Sequence, residues 1–352
     1  MASTKIRRSV WVLTALFSFF IFLLLLHQGR GLIAAQSASP LPPPTPAAIR
    51  TGDARCGDHI KYGNNIALIV KTGATELYDK LPTQLLTLLQ CAQNLVLFSE
   101  LEQNVGSYHV YDALANMAPE AMNNTDFDFY RELKAYQSQG RDLRALNDMK
   151  DLRVTPQTEG HNAAWALDKY KFLYMMDEAW EKEPNRDWYV FIEADTYLVW
   201  ENLLGWLAKY SPDEKIYLGK ATPMYEEGPG FYFGHGGSGF IMSKAAMYEY
   251  HAAKIASKWD FRVPHLWFGD FIVAKVLKDE LNVSITDAWP QLNGDSLSTI
   301  PWTEIWCEKV LTLHHIRSDE MQSLWQYEQR RSSNEVSTQP RAKRLPLREQ
   351  SH

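Results

Sequence analysis

Two acids, Glu193 and Asp195, stand either side of Ala194 directly after the run Trp188-Tyr189-Val190-Phe191-Ile192. An apolar, aromatic and β-branched run of that length reads as a strand buried on both faces, so the acids fall where the strand must end. Ligands of open α/β sheets bind beyond the carboxyl ends of the strands, which lets such carboxylates face a substrate instead of solvent. An acid-x-Asp pair there suits a hard divalent cation. The ion prefers oxygen ligands, keeps positions open for phosphate oxygens, and can screen a diphosphate leaving group. The spacing itself is not selective, because Glu100 and Glu102, Asp126 and Asp128, and Glu181 and Glu183 share it in polar or helical surroundings. The plain alternative is that Asp195 or Thr196 caps the helix beginning near Trp200.

Three other stretches could contribute chemistry. Gly234-His235-Gly236-Gly237-Ser238-Gly239 precedes Phe240-Ile241-Met242, so main-chain N–H groups at Gly236, Gly237 and Ser238 could approach a sugar or phosphate; a plain loop needing positive φ explains the glycines equally well. His265-Leu266-Trp267-Phe268-Gly269-Asp270 sets two aromatics and an acid at a helix start. Trp267 and Phe268 could present faces to a sugar ring or belong to the core, and Asp270 could be a base or an ordinary acid of a first helical turn. His314 and His315 lie in a segment, Lys309 to Ile316, that reads as a strand, where neighbouring side chains face opposite ways. At most one of the pair is then expected to join Asp195 on a metal, against the default of a surface or core histidine.

The elements that must position these residues alternate. Strands are expected at Ile66–Val70, Leu95–Phe98, Tyr108–Tyr111, Trp188–Ile192 and Lys215–Leu218, and helices at Leu77–Ala92, Phe127–Gln137, Ala163–Glu181, Leu203–Tyr210, Lys244–Ser257 and Asp270–Glu280. That order implies an α/β sandwich with a mainly parallel central sheet.

The flanks differ in composition. Residues 1–9 carry Lys5, Arg7 and Arg8 and read as a cytosolic tail; 10–27 read as a transmembrane signal anchor, with a cleaved signal peptide as the alternative. Residues 28–55, rich in Pro, Ala and Ser, read as a stem, 56–326 as one catalytic-sized domain, and 327–352 as a disordered polar tail. A net charge of −6 with dispersed basic residues gives no case for nucleic acid. With three cysteines this is no disulfide-dense scaffold; Cys56 and Cys91 could pair in an oxidising lumen, or all three could stay reduced. Asn123 and Asn282 head N-glycosylation triplets.

In order along the chain, Thr72-Gly73, Val96-Leu97-Phe98-Ser99-Glu100, Asp187-Trp188, Glu193-Ala194-Asp195-Thr196-Tyr197, Ile216-Tyr217-Leu218-Gly219, Gly236-Gly237-Ser238-Gly239-Phe240-Ile241-Met242-Ser243, Gly269-Asp270 and Leu313-His314 resemble glycosyltransferase family 31. The nearest pattern is that of the core 1 β1,3-galactosyltransferases and Fringe enzymes, in a form that looks fungal. The resemblance implies a GT-A fold, a UDP-sugar donor, Mn²⁺, inversion at the anomeric carbon, a glycan or glycoprotein acceptor and a type II Golgi membrane protein. It matches Asp195 and His314 to the metal ligands and Asp270 to the general base. Glu193 and Ala194 occupy the first two places of the family's Asp-Asp-Asp motif, and Gly269 replaces a Glu before the base. Thr72, Gly73, Glu193 and one of Lys169 and Lys171 are implied on the donor, and Gly236, Gly237, Ser238, Trp267 and Phe268 on the substrate. The altered Glu193-Ala194 pair also fits an inactive membrane-anchored chaperone or a lectin-like protein of the same fold.

Overall fold

The structure is a computed structural model that describes Cys56 and residues 63–150 and 162–334. Its strands are β1 (Ile66–Lys71), β2 (Asn94–Ser99), β3 (Gln103–Val105), β4 (Tyr108–Asp112), β5 (Trp188–Glu193), β6 (Tyr197–Leu198), β7 (Tyr217–Gly219), β8 (Ala221–Pro223), β9 (Tyr232–Gly234), β10 (Phe240–Ser243), β11 (Thr286–Asp287) and β12 (Thr312–Leu313). The α-helices are α1 (Leu77–Leu85), α2 (Asp128–Ser138), α3 (Ala163–Asp168), α4 (Lys171–Lys182), α5 (Trp200–Leu207), α6 (Lys244–Ala252), α7 (Ile255–Lys258), α8 (Gly269–Leu281), α9 (Trp302–Ile305) and α10 (Ser318–Asn334).

Eight strands form the main sheet in the order β11-β7-β10-β5-β1-β2-β4-β3. Its centre, β5-β1-β2-β4, is parallel, while β10 and β3 run antiparallel to their neighbours. The mainly parallel α/β centre expected from the alternating pattern is therefore present. Both faces are covered. Along β1, Ala67 and Ile69 enter one core with residues of α2, α4, α6 and α8, whereas Ile66, Leu68 and Val70 enter a second core with residues of α1, α5 and α10. Tyr189 and Phe191 of β5 divide from Trp188, Val190 and Ile192 in the same way. Each such Leu, Ile or Val side chain contributes about 1.5–3 kcal/mol by leaving water, which is why a continuous apolar run, not an alternating one, marks these strands. The register aligns Lys71 with both Phe98 and Glu193, so three parallel strands end at one level.

The expected membrane-spanning helix is a correction. Among the described residues no helix is long and apolar enough to cross a membrane, and 10–27, like the expected tail 1–9 and stem 28–55, lies outside the described residues. At the other end α10 runs on to Asn334, past residue 327 where a disordered tail was expected to start; 335–352 lie outside the described residues.

Several expected helices are broken for local reasons. The helix expected over 77–92 ends at Leu85, and Thr87 leaves helical geometry at φ −122° and ψ −111° before a 3₁₀ turn reaches Cys91. The helix expected over 163–181 divides between Asp168 and Lys171, where Lys169 is drawn to the carbonyls of Pro264 and Leu266 and the Tyr170 hydroxyl donates to Asp126. Lys254, left-handed at φ 51°, separates α6 from α7. The strand expected over 309–316 shrinks to Thr312 and Leu313, paired with β6. Cys56 and Cys91 form a disulfide, which ties the chain ahead of β1 to the turn that follows α1.

Candidate active site

The strand ends open into a cleft of about 620 Å³ whose lining includes Lys71, Thr72, Gly73, Lys80, Asp168, Lys171, Glu193, Asp195, His235, Gly236, Gly237, Phe268, Asp270, His314 and His315. One wall is built from the end of β5. The Gln84 side-chain amide donates to the Glu193 and Thr196 carbonyls at 3.0 and 2.9 Å, and the Ala194 N–H donates to the Lys71 carbonyl at 3.0 Å, so the turn after the strand is held from both sides. The Thr196 hydroxyl does not cap a helix; it donates to the Gly237 carbonyl at 3.0 Å. Ala194, in the place of the middle acid, is buried in the second core, where an unpaired carboxylate would carry a desolvation cost.

On this wall His314 Nε2 lies 3.2 Å from Asp195 Oδ1 and 3.6 Å from Glu193 Oε2. His315 Nδ1 lies 4.0 Å from Asp195 Oδ2. Ligand atoms of Asp195, His314 and His315 all fall within 4.8 Å of one another, so the expectation that only one histidine could reach Asp195 is corrected. Strand alternation stops at Leu313, and His315 takes a left-handed φ of 54°, which brings the two imidazoles to a centroid distance of 3.8 Å. Among the described residues Asp195 Oδ1 and His314 Nδ1 are both buried without a hydrogen-bond partner, and the 3.2 Å approach of His314 Nε2 to Asp195 Oδ1 is an ionic contact. Two orphaned buried ligand atoms, a carboxylate and imidazoles form a donor set that fits a divalent cation.

Charge on this wall is strongly paired. Burial opposes ionisation of Glu193, but Lys71 at 3.1 Å and His314 hold its carboxyl well below the usual range. Asp195 is likewise lowered, against burial, by His314 and by Lys80 at 3.1 Å. Burial would discharge His314, yet the Asp195 and Glu193 carboxylates outweigh it and raise the ring to about 9. The nearby His235 goes the other way, lowered to about 4 by burial and by the charge of His314.

The opposite wall carries Asp270 in the first turn of α8. The Gly236 N–H donates to its Oδ2 at 2.7 Å and the Phe271 N–H to its Oδ1 at 2.9 Å. Burial still dominates, and the carboxyl is raised to about 6, a value suited to a base near neutral pH. Gly269 has a packing reason: a Cβ there would come within 2.0 Å of the Phe172 ring, over which Lys71 Nζ sits at 4.2 Å. The consecutive glycines join the two walls. A Cβ on Gly236 would crowd Asp270 Oδ2 at 3.3 Å, and one on Gly237 would strike the His314 ring at 2.1 Å. Their lack of side chains lets Asp270 and His314 approach one turn of backbone.

Other expected residues divide. Thr72 and Gly73 line the cleft, and Thr72 Oγ1 is buried without a partner. Lys171 also lines it, but its ammonium already meets Glu100 at 2.9 Å, Asp168 at 2.7 Å and the Thr72 carbonyl at 3.2 Å, which uses its three donors. Lys169 is off the cleft: buried, it holds Asp126 at 3.2 Å and the Pro264 and Leu266 carbonyls. Trp267 packs against the first core and does not line the cleft, whereas Phe268 does, edge-on to Phe233 at 5.2 Å. Ser238 is fully buried, with its Oγ 2.9 Å from His235 Nδ1. Asn123 and Asn282 are exposed, as sugar acceptors must be. Sequence reasoning missed Lys71, Lys80, Asp168 and His235. Two of them carried a signal, Lys71 as the residue closing an apolar strand and His235 by its place in the Gly-rich stretch.

Residues 141–300 match a family model described as Fringe-like. The match takes in Glu193, Asp195, the Gly-rich turn and Asp270, and stops before His314. The crystal structure of a glycosyltransferase involved in the glycosylation of the major capsid of PBCV-1 aligns over 73% of this chain and 99% of its own, at 11% identity and a TM-score of 0.32. That likeness is too slight to bear on the chemistry. The family match and the ordered motifs agree: residues 141–300 are similar to a Fringe-like domain, and the chain is a glycosyltransferase.

Proposed function

We propose that the enzyme is an inverting, metal-dependent transferase that moves a hexose from a UDP-sugar to a hydroxyl of a glycan or glycoprotein, in a β1,3 linkage. The observation that carries this is the pairing of two chemically distinct walls across one cleft: orphaned Asp195 and His314 atoms on one side and Asp270, raised to about 6, on the other. Asp195 with His314 and His315 would hold a divalent cation such as Mn²⁺, which when bound supplies Lewis-acid charge to a departing diphosphate. Asp270 accepts the proton of the acceptor hydroxyl as that oxygen bonds to the anomeric carbon, and the bond to the diphosphate breaks on the opposite face. The Gly236 and Phe271 N–H groups keep the carboxylate oriented throughout. Lys80, which spans Glu76 and Asp195 and is partly exposed, is the cation best placed to meet a phosphate, ahead of Lys169 and Lys171.

The Cys56–Cys91 disulfide and the exposed Asn123 and Asn282 triplets favour an oxidising compartment, and we place the catalytic domain in the lumen of the Golgi or ER. The test is release of UDP from a panel of UDP-hexoses with glycan acceptors, in Mn²⁺ and in EDTA, with the product anomer read by NMR. A product that keeps the donor's anomeric configuration, or turnover indifferent to EDTA, would overturn the reading.

A further inference from the structure

His235 lies on the cleft between the two walls and has no part in the chemistry above. Its Nδ1 is 3.2 Å from the Ser238 backbone N–H, which donates to it. The same N–H also reaches the His235 carbonyl at 3.1 Å, so it is shared between the two acceptors; since a backbone N–H can only donate, its share on Nδ1 favours a lone pair there and the ring proton on Nε2. The Nδ1 edge is closed: Ser238 Oγ is 2.9 Å away, and a Cβ at Gly294 would come 2.9 Å from Nδ1 and 2.6 Å from Ser238 Oγ. Ser238 is itself fixed, because its carbonyl accepts from the Thr312 hydroxyl at 2.7 Å. Among the described residues Nε2 makes no hydrogen bond, and His235 lines the cleft.

The position says what Nε2 would meet. His235 precedes Gly236, whose N–H holds Asp270, and its ring is 5.9 Å from that of His314. On the proposed function, on which this inference rests, the acceptor oxygen sits at Asp270 and the diphosphate at the His314 wall. The sugar being transferred must lie between them, alongside His235. A diphosphate oxygen calls for a cation, and Lys80 supplies one; an uncharged N–H held rigidly is the partner of a hydroxyl. We propose that His235 Nε2–H donates to one hydroxyl of the transferred hexose and so sets which UDP-hexose the enzyme uses.

Two substitutions separate this role from the capping role. His235→Asn keeps an acceptor for the Ser238 N–H, since Asn is a good cap, but has nothing at the Nε2 position. His235→Gln keeps a donor near Nε2. The full chain and both variants are assayed with the hexose donor that wild type uses, with its deoxy analogues, and with UDP alone as inhibitor. His235→Asn is expected to lower kcat/KM for the donor about 3- to 10-fold, the effect of one neutral hydrogen bond, with inhibition by UDP unchanged. One deoxy donor disfavoured by wild type should lose that handicap in the variant, and His235→Gln should recover most of the rate. Independently of folding and of ligand, ¹⁵N-histidine NMR of wild type should show an unprotonated Nδ1 and a protonated Nε2 for His235 at pH 7. An Nδ1–H or imidazolium ring, unchanged discrimination among deoxy donors, or a loss of UDP affinity matching the loss in kcat/KM would each overturn the proposal. Wild type that binds no UDP and cleaves no UDP-hexose would overturn the donor reading itself, and this inference with it.

Discussion

The two walls of the cleft carry acids of the same kind and push them in opposite directions. Glu193 and Asp195 sit among Lys71, Lys80 and His314, and stay ionised because those cations outweigh burial. Asp270 has backbone N–H partners and, among the described residues, no side-chain cation in contact, so burial outweighs the more distant Lys71 and raises it to about 6. Neutral dipoles hold a carboxylate in place without removing its appetite for a proton, whereas a full positive charge removes it. Acids whose surroundings drive them apart in this way suit separate tasks, and the proposed function assigns them to a ligand wall and a proton-accepting wall.

The largest effect is expected where the charged wall loses its shared ligand. Asp195→Ala should abolish Mn²⁺-dependent UDP binding in titration calorimetry, since the histidines alone offer no oxygen to a hard ion. Mn²⁺ affinity equal to wild type would remove the metal from this wall. Next is the other wall: Asp270→Asn should retain Mn²⁺ and UDP binding while slowing transfer about 10²- to 10⁴-fold, the range for losing a general base. Turnover within a few-fold of wild type would end the assignment.

Acidity sharpens the same contrast. Below about pH 6 Asp270 gains its proton and ceases to be a base, so kcat/KM should fall about tenfold per pH unit there. Stability carries the opposite sign. The native pKa of Asp270 is raised above its unfolded value, so its contribution is fully present below the unfolded pKa and is lost as pH rises through about 6. Asp270→Asn should therefore melt at a higher temperature than wild type at pH 8, and at nearly the same temperature at pH 4. A variant less stable at pH 8 would mean that the charged form is favoured in the fold.

On the proposed metal wall, His315→Ala is expected to weaken Mn²⁺ binding about tenfold, less than Asp195→Ala because His315 is exposed and stands farther than His314 from the carboxylate. No change would return His315 to the surface. That residue also illustrates what a sequence can and cannot disclose. The strands β1, β2 and β5 were legible because burial on both faces writes itself as an apolar run, and Glu193, Asp195 and Asp270 were legible as acids at the ends of elements. The reach of His315 was not, since it depends on a left-handed residue beyond a strand only two residues long. Lys71 and Asp168 meet across 97 positions, and no local pattern encodes such a pair. The continuation of α10 past residue 327 was hidden by its polar composition, because its stability comes from Met321, Leu324 and Trp325 packing on the second core.

The smallest effect on the site is expected at Lys169, although the change there is drastic for the fold. Lys169 and Lys171 are neighbours in sequence, both buried and both paired, yet only Lys171 reaches the cleft. The Lys169 ammonium holds Asp126 and the carbonyls of Pro264 and Leu266, on the chain that leads to Phe268 and α8. Lys169→Met removes the charge while filling similar space, and leaves Asp126 with the Tyr170 hydroxyl at 2.6 Å as a remaining partner. Breaking a buried pair typically costs about 3–5 kcal/mol, and the retained hydrogen bond should keep this one near the lower figure. Chemical denaturation should show that loss, while UDP and Mn²⁺ affinities of the folded variant stay those of wild type, because no atom of Lys169 lines the ligand wall. Weakened UDP binding in a folded Lys169→Met protein would place this lysine on the donor after all. It would also undo the distinction between a lysine that holds the scaffold and one that faces the cleft.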